Sequence, residues 1–295
     1  MGVIMLYRRQ FVYGLLGLAA SWPVRGFSQT EERRFDEIPP LPSSMQGSAA
    51  IDPRNDESSE SFGLDDASSE QRRVARQILR KSPTATTPYD VAKYFEEVGK
   101  GLHGEEIRGY MRAWPRNEPA NPVIVSFFSA TNFSPSGDQT AWCAAFMNWC
   151  IRRSQEGRPD ISRLFRPTNS ASSGSFRQWA NPVRFRNDGS WSGERRTGDL
   201  IVFQKINNDG RADPRQGHVG FYVDEDDKYV YVLGGNQFEG RPVVHCVNTK
   251  RLRKLSLSQA SEIKIRNVQN GLKGGVLAIH SVRTAKSLHS KNLNT

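Results

Sequence analysis

The sequence predicts an α+β protein. Three observations carry that expectation. Apolar residues recur at helical spacing through the first half of the folded part, the period changes to two after Gly198, and Gly, Pro and Asp/Asn clusters punctuate the runs. Helices in one block and strands in the next place helices against an antiparallel sheet instead of alternating them with a parallel one. A chain of 295 residues with 37% hydrophobic side chains has material for one sizeable core or two small ones.

The chain opens with Arg8-Arg9-Gln10-Phe11-Val12 before an apolar run from Tyr13 to Trp22, and Ser21 and Ser28 offer cleavage points. That run is short for a bilayer span and reads as an export signal over residues 1–28, with a retained membrane anchor as the lesser reading. The paired arginines resemble a twin-arginine signal, while a general secretory signal fits the same basic start. Either route delivers the protein to the periplasm or the exterior and touches the membrane only transiently. Residues 29–74 form an acidic linker rich in Pro and Ser, without apolar period, and are expected to be disordered. Residues 31–70 alone hold eleven acids against three arginines, so the remainder is more basic than the net +10 of the whole chain. A basic module fits an anionic partner such as a cell-envelope polymer or lipid headgroups. No zinc-ligand spacing or nucleic-acid motif accompanies the charge, so nucleic acid is not expected as a partner.

The folded domain is set at 75–284, with a basic tail over 285–295. Residues 71–81 and 88–113 show helical spacing, interrupted at Pro83 and Pro88, and Asn121-Pro122 opens another short helix over 123–131. A Gly/Pro/Ser loop then leads to the stretch Asp138–Cys150. Here Cys143, Phe146, Met147, Cys150 and Ile151 fall on one helical face, with Asp138 and Thr140 as two available caps. Cys143 lies in the first turn, where free backbone N–H groups and the helix dipole favour a thiolate and lower its pKa below about 8.5. The same N–H groups suit a developing oxyanion. Cys143 and Cys150, about 10.5 Å apart by helical rise, cannot bridge, because a disulfide needs Cα atoms within about 7 Å. Pairing of Cys150 with Cys246 stays open and would leave Cys143 as the free thiol.

Residues 151–197 are polar with isolated aromatics. Ser173–Trp179 reads as a short helix, Trp191 as a loop residue, and the section as one wall of a groove. Strands follow at 200–204, 217–223, 229–233, 243–247 and 276–282.

A thiol nucleophile needs a base within hydrogen-bond reach and a partner that orients the base. His218 begins a strand behind Gly217, with Gly220 leaving room beside it. If Asp226–Lys228 forms a three-residue hairpin loop, His218 stands opposite Asn236, which then accepts the ring N–H, whereas a two- or four-residue loop would put Asn236 on the other face and undo this role. His245 and His280 read as core or surface residues, and His103 and His289 as loop and tail. No carboxylate and histidine set has metal spacing, and no cofactor is needed.

The motifs AWCAAFMNWC, GDLIVFQ, GHVGFYV and LGGNQ, in this order, resemble the CHAP amidase/peptidase group of the NlpC-type papain-like cysteine peptidases. The resemblance covers roughly Asn121 to Val247. It implies a papain-like core, with the nucleophile at a helix N-terminus packed on a five- or six-stranded antiparallel sheet. It implies hydrolysis of peptidoglycan or its peptide fragments, as a stem-peptide endopeptidase or N-acetylmuramoyl-L-alanine amidase. Cys143 then matches the nucleophile, His218 the base and Asn236 the orienting residue. Two positions depart from the group: Gly234 stands where many members carry an acid, and Trp142 where a glutamine is common, with Gln139 as a weak substitute in the oxyanion hole. Two rival readings share the fold, a catalytically silent wall-binding module and a thiol acyltransferase.

Overall fold

The computed structural model describes residues 67–115, 118–157, 166–240 and 244–285. The stretch expected to be an export signal, most of the expected acidic linker and all but the first residue of the expected basic tail lie outside the described residues. Helix α1, Ser69–Lys81, begins inside the stretch assigned to the linker, because Ser68 and Gln71 form a reciprocal capping box that starts the helix there. Helix α2, Pro88–Gly99, follows the Thr87 cap with proline in its first turn, and a 3-10 turn occupies Glu105–Met111. Helix α3, Pro122–Phe127, is capped by Asn121, and helix α4 is Cys143–Gln155.

The strands are β1 Asn181–Val183, β2 Leu200–Ile206, β3 Ala212–Glu225, β4 Tyr229–Glu239, β5 Val244–Arg253 and β6 Val276–Thr284. They form one antiparallel sheet in the order β1-β6-β2-β3-β4-β5. The expected α+β architecture is therefore present, with an open six-stranded antiparallel sheet consistent with a papain-like core. Alternation along the strands divides two cores. Leu200, Val202, Val219, Phe221 and Leu233 face the helices and pack with Phe95, Phe127, Trp142 and Phe146. Ile201, Phe203, Tyr222, Val230 and Val232 line the other face. No helix among the described residues is long and apolar enough to cross a membrane.

Two elements were absent from the sequence expectation. Strand β1 is a three-residue edge pairing with β6. Helix α5, Leu257–Gln269, has a Ser256/Gln259 capping box, yet buries only Ala260 and Lys264 while Leu257, Ile265 and Val268 stay exposed. It turns only Ala260 and Ile263 onto the small cluster of Ile206, Leu255, Val276 and Ala278, a narrow apolar contact.

Candidate active site

Helix α4 begins at Cys143 itself. Asp138 and Thr140 do not cap it: the N-cap is Trp142, and no side chain takes a hydrogen bond from the first turn. Asp138 is committed elsewhere. Its buried carboxylate accepts the backbone N–H groups of Trp114 (2.7 Å) and Asn121 (2.9 Å), while burial holds its pKa above the usual carboxylate value. Gln139 donates to the Trp114 carbonyl at 2.7 Å and thus fixes the same loop. The leading N–H groups of α4 are left open at the cysteine, as an anion or oxyanion site requires.

The sulfur of Cys143 lies against β3, where the backbone N–H of Val219, the residue after His218, donates toward it. The N–H groups of Cys143 and Ala144 act on it in the same direction. These three favour the thiolate, as the sequence predicts, but they are outweighed. Cys143 is 4% exposed, and burial pushes its thiol up to about 11. The expected lowering is therefore overturned by desolvation, which disfavours the charged form more than the N–H groups favour it. His218 is 5% exposed, and burial pulls it down to about 4. At rest the thiol and the imidazole are therefore both neutral.

Glycine sets how closely the elements meet. A Cβ at Gly235 would run into the Trp142 ring and into Phe146, so only a residue without a side chain lets β4 pass under α4. Gly234 opens a second space, since its Cβ position is 3.4 Å from His218 Nε2 and 3.5 Å from Gln237 Nε2. The acid common at this position in the resembled group is absent, and Nε2 of His218 is buried with no hydrogen-bond partner.

The predicted register reaches the right place by a different route. The β3–β4 hairpin pairs Glu225 with Val230, a turn one residue longer than expected, closed by Asp226 N–H to the Tyr229 carbonyl at 2.9 Å. A bulge between Tyr222 and Asp224 then restores the expected pairing, Phe221 with Leu233. Continued, that register would oppose His218 and Asn236. A second bulge, between Gly234 and Gln237 where β4 pairs β5, intervenes. Asn236 takes a left-handed backbone (φ 60°), and its Oδ1 meets Nδ1 of His245 at 2.8 Å. The side chain predicted to orient His218 is thus engaged with another histidine.

Gln237 is the side chain that acts on the His218 ring besides burial. Its amide opposes the effect of burial on His218 and raises the ring's basicity. Its Nε2 donates to the carbonyls of Val232 (3.0 Å), Gly234 (3.4 Å) and Asn248 (2.6 Å). With the nitrogen committed to carbonyls, the amide oxygen is the group left to serve the imidazole. Both residues stand in the motif LGGNQ, and the bulge between Gly234 and Gln237 was not legible in it.

The remaining thiols, Cys150 and Cys246, are both free and buried. The loop wall is fixed by Asn148 of α4, whose Nδ2 donates to the Ser170 carbonyl (2.9 Å) and whose Oδ1 accepts the Thr168 N–H (2.7 Å). Trp179 packs against the helix-side core, and Trp191 donates to Glu225 at 2.9 Å on the opposite face. No cluster of three metal-ligating side chains occurs among the described residues.

The open helix N-terminus at Cys143 and the strand carrying Gly217, His218 and Val219 both lie inside a stretch that a family comparison matches. Residues 135–236 match the CHAP domain. The match is consistent with the CHAP amidase/peptidase group. A match to the CHAP domain suggests a cell-wall hydrolase or amidase family, of amidase or peptidase type. The match takes in α4, β2 and β3 and ends at Asn236, one residue before Gln237. Neither a curated protein nor a solved structure matches the chain.

Proposed function

We propose that the protein is an exported cysteine hydrolase that cleaves amide bonds of peptidoglycan, within the stem peptide or between peptide and sugar. The observation that carries this reading is the Cys143 sulfur at the open N-terminus of α4, held against the Val219 N–H beside His218, inside the CHAP match. His218 takes the thiol proton as the sulfur attacks the carbonyl. The first-turn N–H groups of α4 and the Val219 N–H stabilise the charge that develops, and water releases the acyl-enzyme. Because the resting pair is neutral, proton transfer accompanies attack instead of preceding it. Substrate binding has to admit polar groups to a site that is nearly closed at rest. Gln237 holds the imidazole, in a Cys-His-Gln arrangement in place of the expected Cys-His-Asn.

The test is digestion of purified sacculi with mass spectrometry of the released fragments. Cys143→Ala and His218→Ala are expected to abolish release while circular dichroism stays native, and full activity in Cys143→Ala would overturn the mechanism. Cell fractionation with and without residues 1–28 tests export. The burial of Cys143 and its high thiol pKa favour a second reading, a wall-binding module without turnover. Binding of sacculi with no fragment released by the unaltered chain would establish it.

A further inference from the structure

Strand β6 carries His280 and Arg283, and their surroundings lack the acid that a protein interior usually supplies. Arg283 is 4% exposed, and its Nε is buried with no acceptor. In the sheet it stands between Pro182 of β1 and Leu200 of β2. Arg184 follows β1 directly, where the Val183–Val282 pairing carries it alongside Ser281. Arg177 comes from the Ser173–Gln178 3-10 turn. Its Nη2 donates to the carbonyls of Asp213 (2.8 Å) and Gln216 (3.0 Å), while its Nε is also buried without an acceptor. No carboxylate forms an ion pair with Arg177, Arg184 or Arg283 among the described residues. Asp213 acts on Arg177 only at longer range, its Oδ1 being taken by the N–H groups of Arg215 and Gln216. Arg283, Arg177 and Arg184 each help burial to hold the His280 pKa down, and its Nδ1 lies 2.8 Å from the Ser281 hydroxyl.

Buried charge is tolerated when it is paired, and a guanidinium presents a fork of donors matched to an oxyanion. Here two guanidinium Nε groups are buried without an acceptor, Arg184 acts on Arg283, and among the described residues the acid that acts on Arg177, Asp213, makes no ion pair with it. The geometry points to an oxyanion-binding site formed by Arg283, Arg177 and Arg184, next to His280 and Ser281 on the same strand, that takes a carboxylate or phosphate group. Two sources carry such a group. One is a free carboxylate of the peptide that the Cys143 site would process, an assignment that rests on the peptidase reading. The other is a free inorganic anion, which does not. The Gln216 carbonyl held by Arg177 lies two residues before His218, so the cluster is joined by one strand to the base.

The experiment uses the full chain carrying Cys143→Ala, so its outcome is independent of turnover. Inorganic phosphate, a short peptide with a free C-terminal carboxylate and the same peptide amidated are titrated separately at low ionic strength by calorimetry. The His280 ring resonances are followed in parallel. Binding of phosphate or of the free-carboxylate peptide is expected, weakened about tenfold or more in Arg283→Gln and by a smaller factor in Arg184→Gln. The His280 titration is expected to move to higher pH in the complex, because a bound anion offsets the three arginines. Preference for the free-carboxylate peptide over its amide assigns the site to substrate, and binding of phosphate alone assigns it to a free anion. Absence of binding by any of these probes, or affinities equal in both variants and the parent, would overturn the proposal. Arg184 is exposed, so Arg184→Gln keeps the test decisive if Arg283→Gln fails to fold.

Discussion

His218 and His280 lie on strands separated only by β2, where Phe203 pairs with His218 on one side and Ile279 on the other. Each is pulled down to about 4. The causes differ. His218 is depressed by burial alone, with Gln237 working against it. His280 is depressed by burial and then by Arg283, Arg177 and Arg184. A ring that is merely dry recovers its basicity when a polar substrate enters, whereas a ring ringed by cations recovers only when an anion arrives or salt screens the field. Equal perturbation therefore conceals two chemistries, and only the first suits a general base.

The largest expected effect separates the two rings directly. His218→Ala should reduce hydrolysis of sacculi by about 100-fold or more, the scale of losing a positioned acid–base group. His280→Ala should leave kcat within a few-fold of the parent. Comparable losses in both, with native circular dichroism, would break the distinction.

Next comes the question of which side chain holds the base. Gln237→Leu is expected to lower kcat by about 10-fold to 100-fold with KM little changed, since a mis-set imidazole costs part of the general-base contribution. Gln237→Glu should keep activity and move the acidic limb of the kcat/KM profile to higher pH, because a carboxylate favours the imidazolium. Asn236→Ala should act on stability instead. It removes the 2.8 Å contact to His245 and puts alanine in a left-handed conformation, together costing about 1–3 kcal/mol by urea unfolding. Loss of kcat in Asn236→Ala with unchanged stability would restore Asn236 as the orienting residue.

These variants turn on a difference of one residue, and that is also where the sequence stopped being legible. Period and punctuation were sufficient for α1 to α4, for β2 to β6 and for the cysteine at a helix start, because burial of one face writes itself into spacing. Gly234-Gly235 was legible as a place of close approach, but not as the site of a bulge. The choice between Asn236 and Gln237 depends on how β4 pairs with β5, a long-range register that local pattern does not encode. Thiol basicity was misjudged for a related reason. The open helix N-terminus is local and visible in the sequence, whereas the desolvation that outweighs it comes from β3 and β4 closing over Cys143. Helix α5 was missed because its exposed Leu257, Ile265 and Val268 leave it only a narrow core-facing contact.

Acid stability tests the shared property of the two histidines. Both are neutral in the folded chain at pH values where an unfolded histidine, with its pKa near 6.5, has begun to take up a proton. The unfolded state therefore binds more protons, and stability rises with pH in this window. On acidification it should fall from about pH 6.5 and continue falling to about pH 4, where the folded rings titrate as well. Proton uptake on unfolding near pH 5, measured from the pH dependence of the urea midpoint, should decrease by about one proton in either His218→Gln or His280→Gln. An unchanged slope in His218→Gln would mean that the ring is solvated at rest.

The smallest effect is the most discriminating. Raising ionic strength from low to molar salt screens fields between charges but does little to the dryness of a sealed cavity. The His280 midpoint, followed by NMR, should therefore rise by about half a pH unit as the repulsion from Arg283, Arg177 and Arg184 weakens. The His218 midpoint should stay within about 0.1–0.2, because the group acting on it besides burial is the neutral amide of Gln237. If both midpoints moved together, an unrecognised charge would have to act on the His218 ring, and a base set by desolvation and one amide could no longer be maintained.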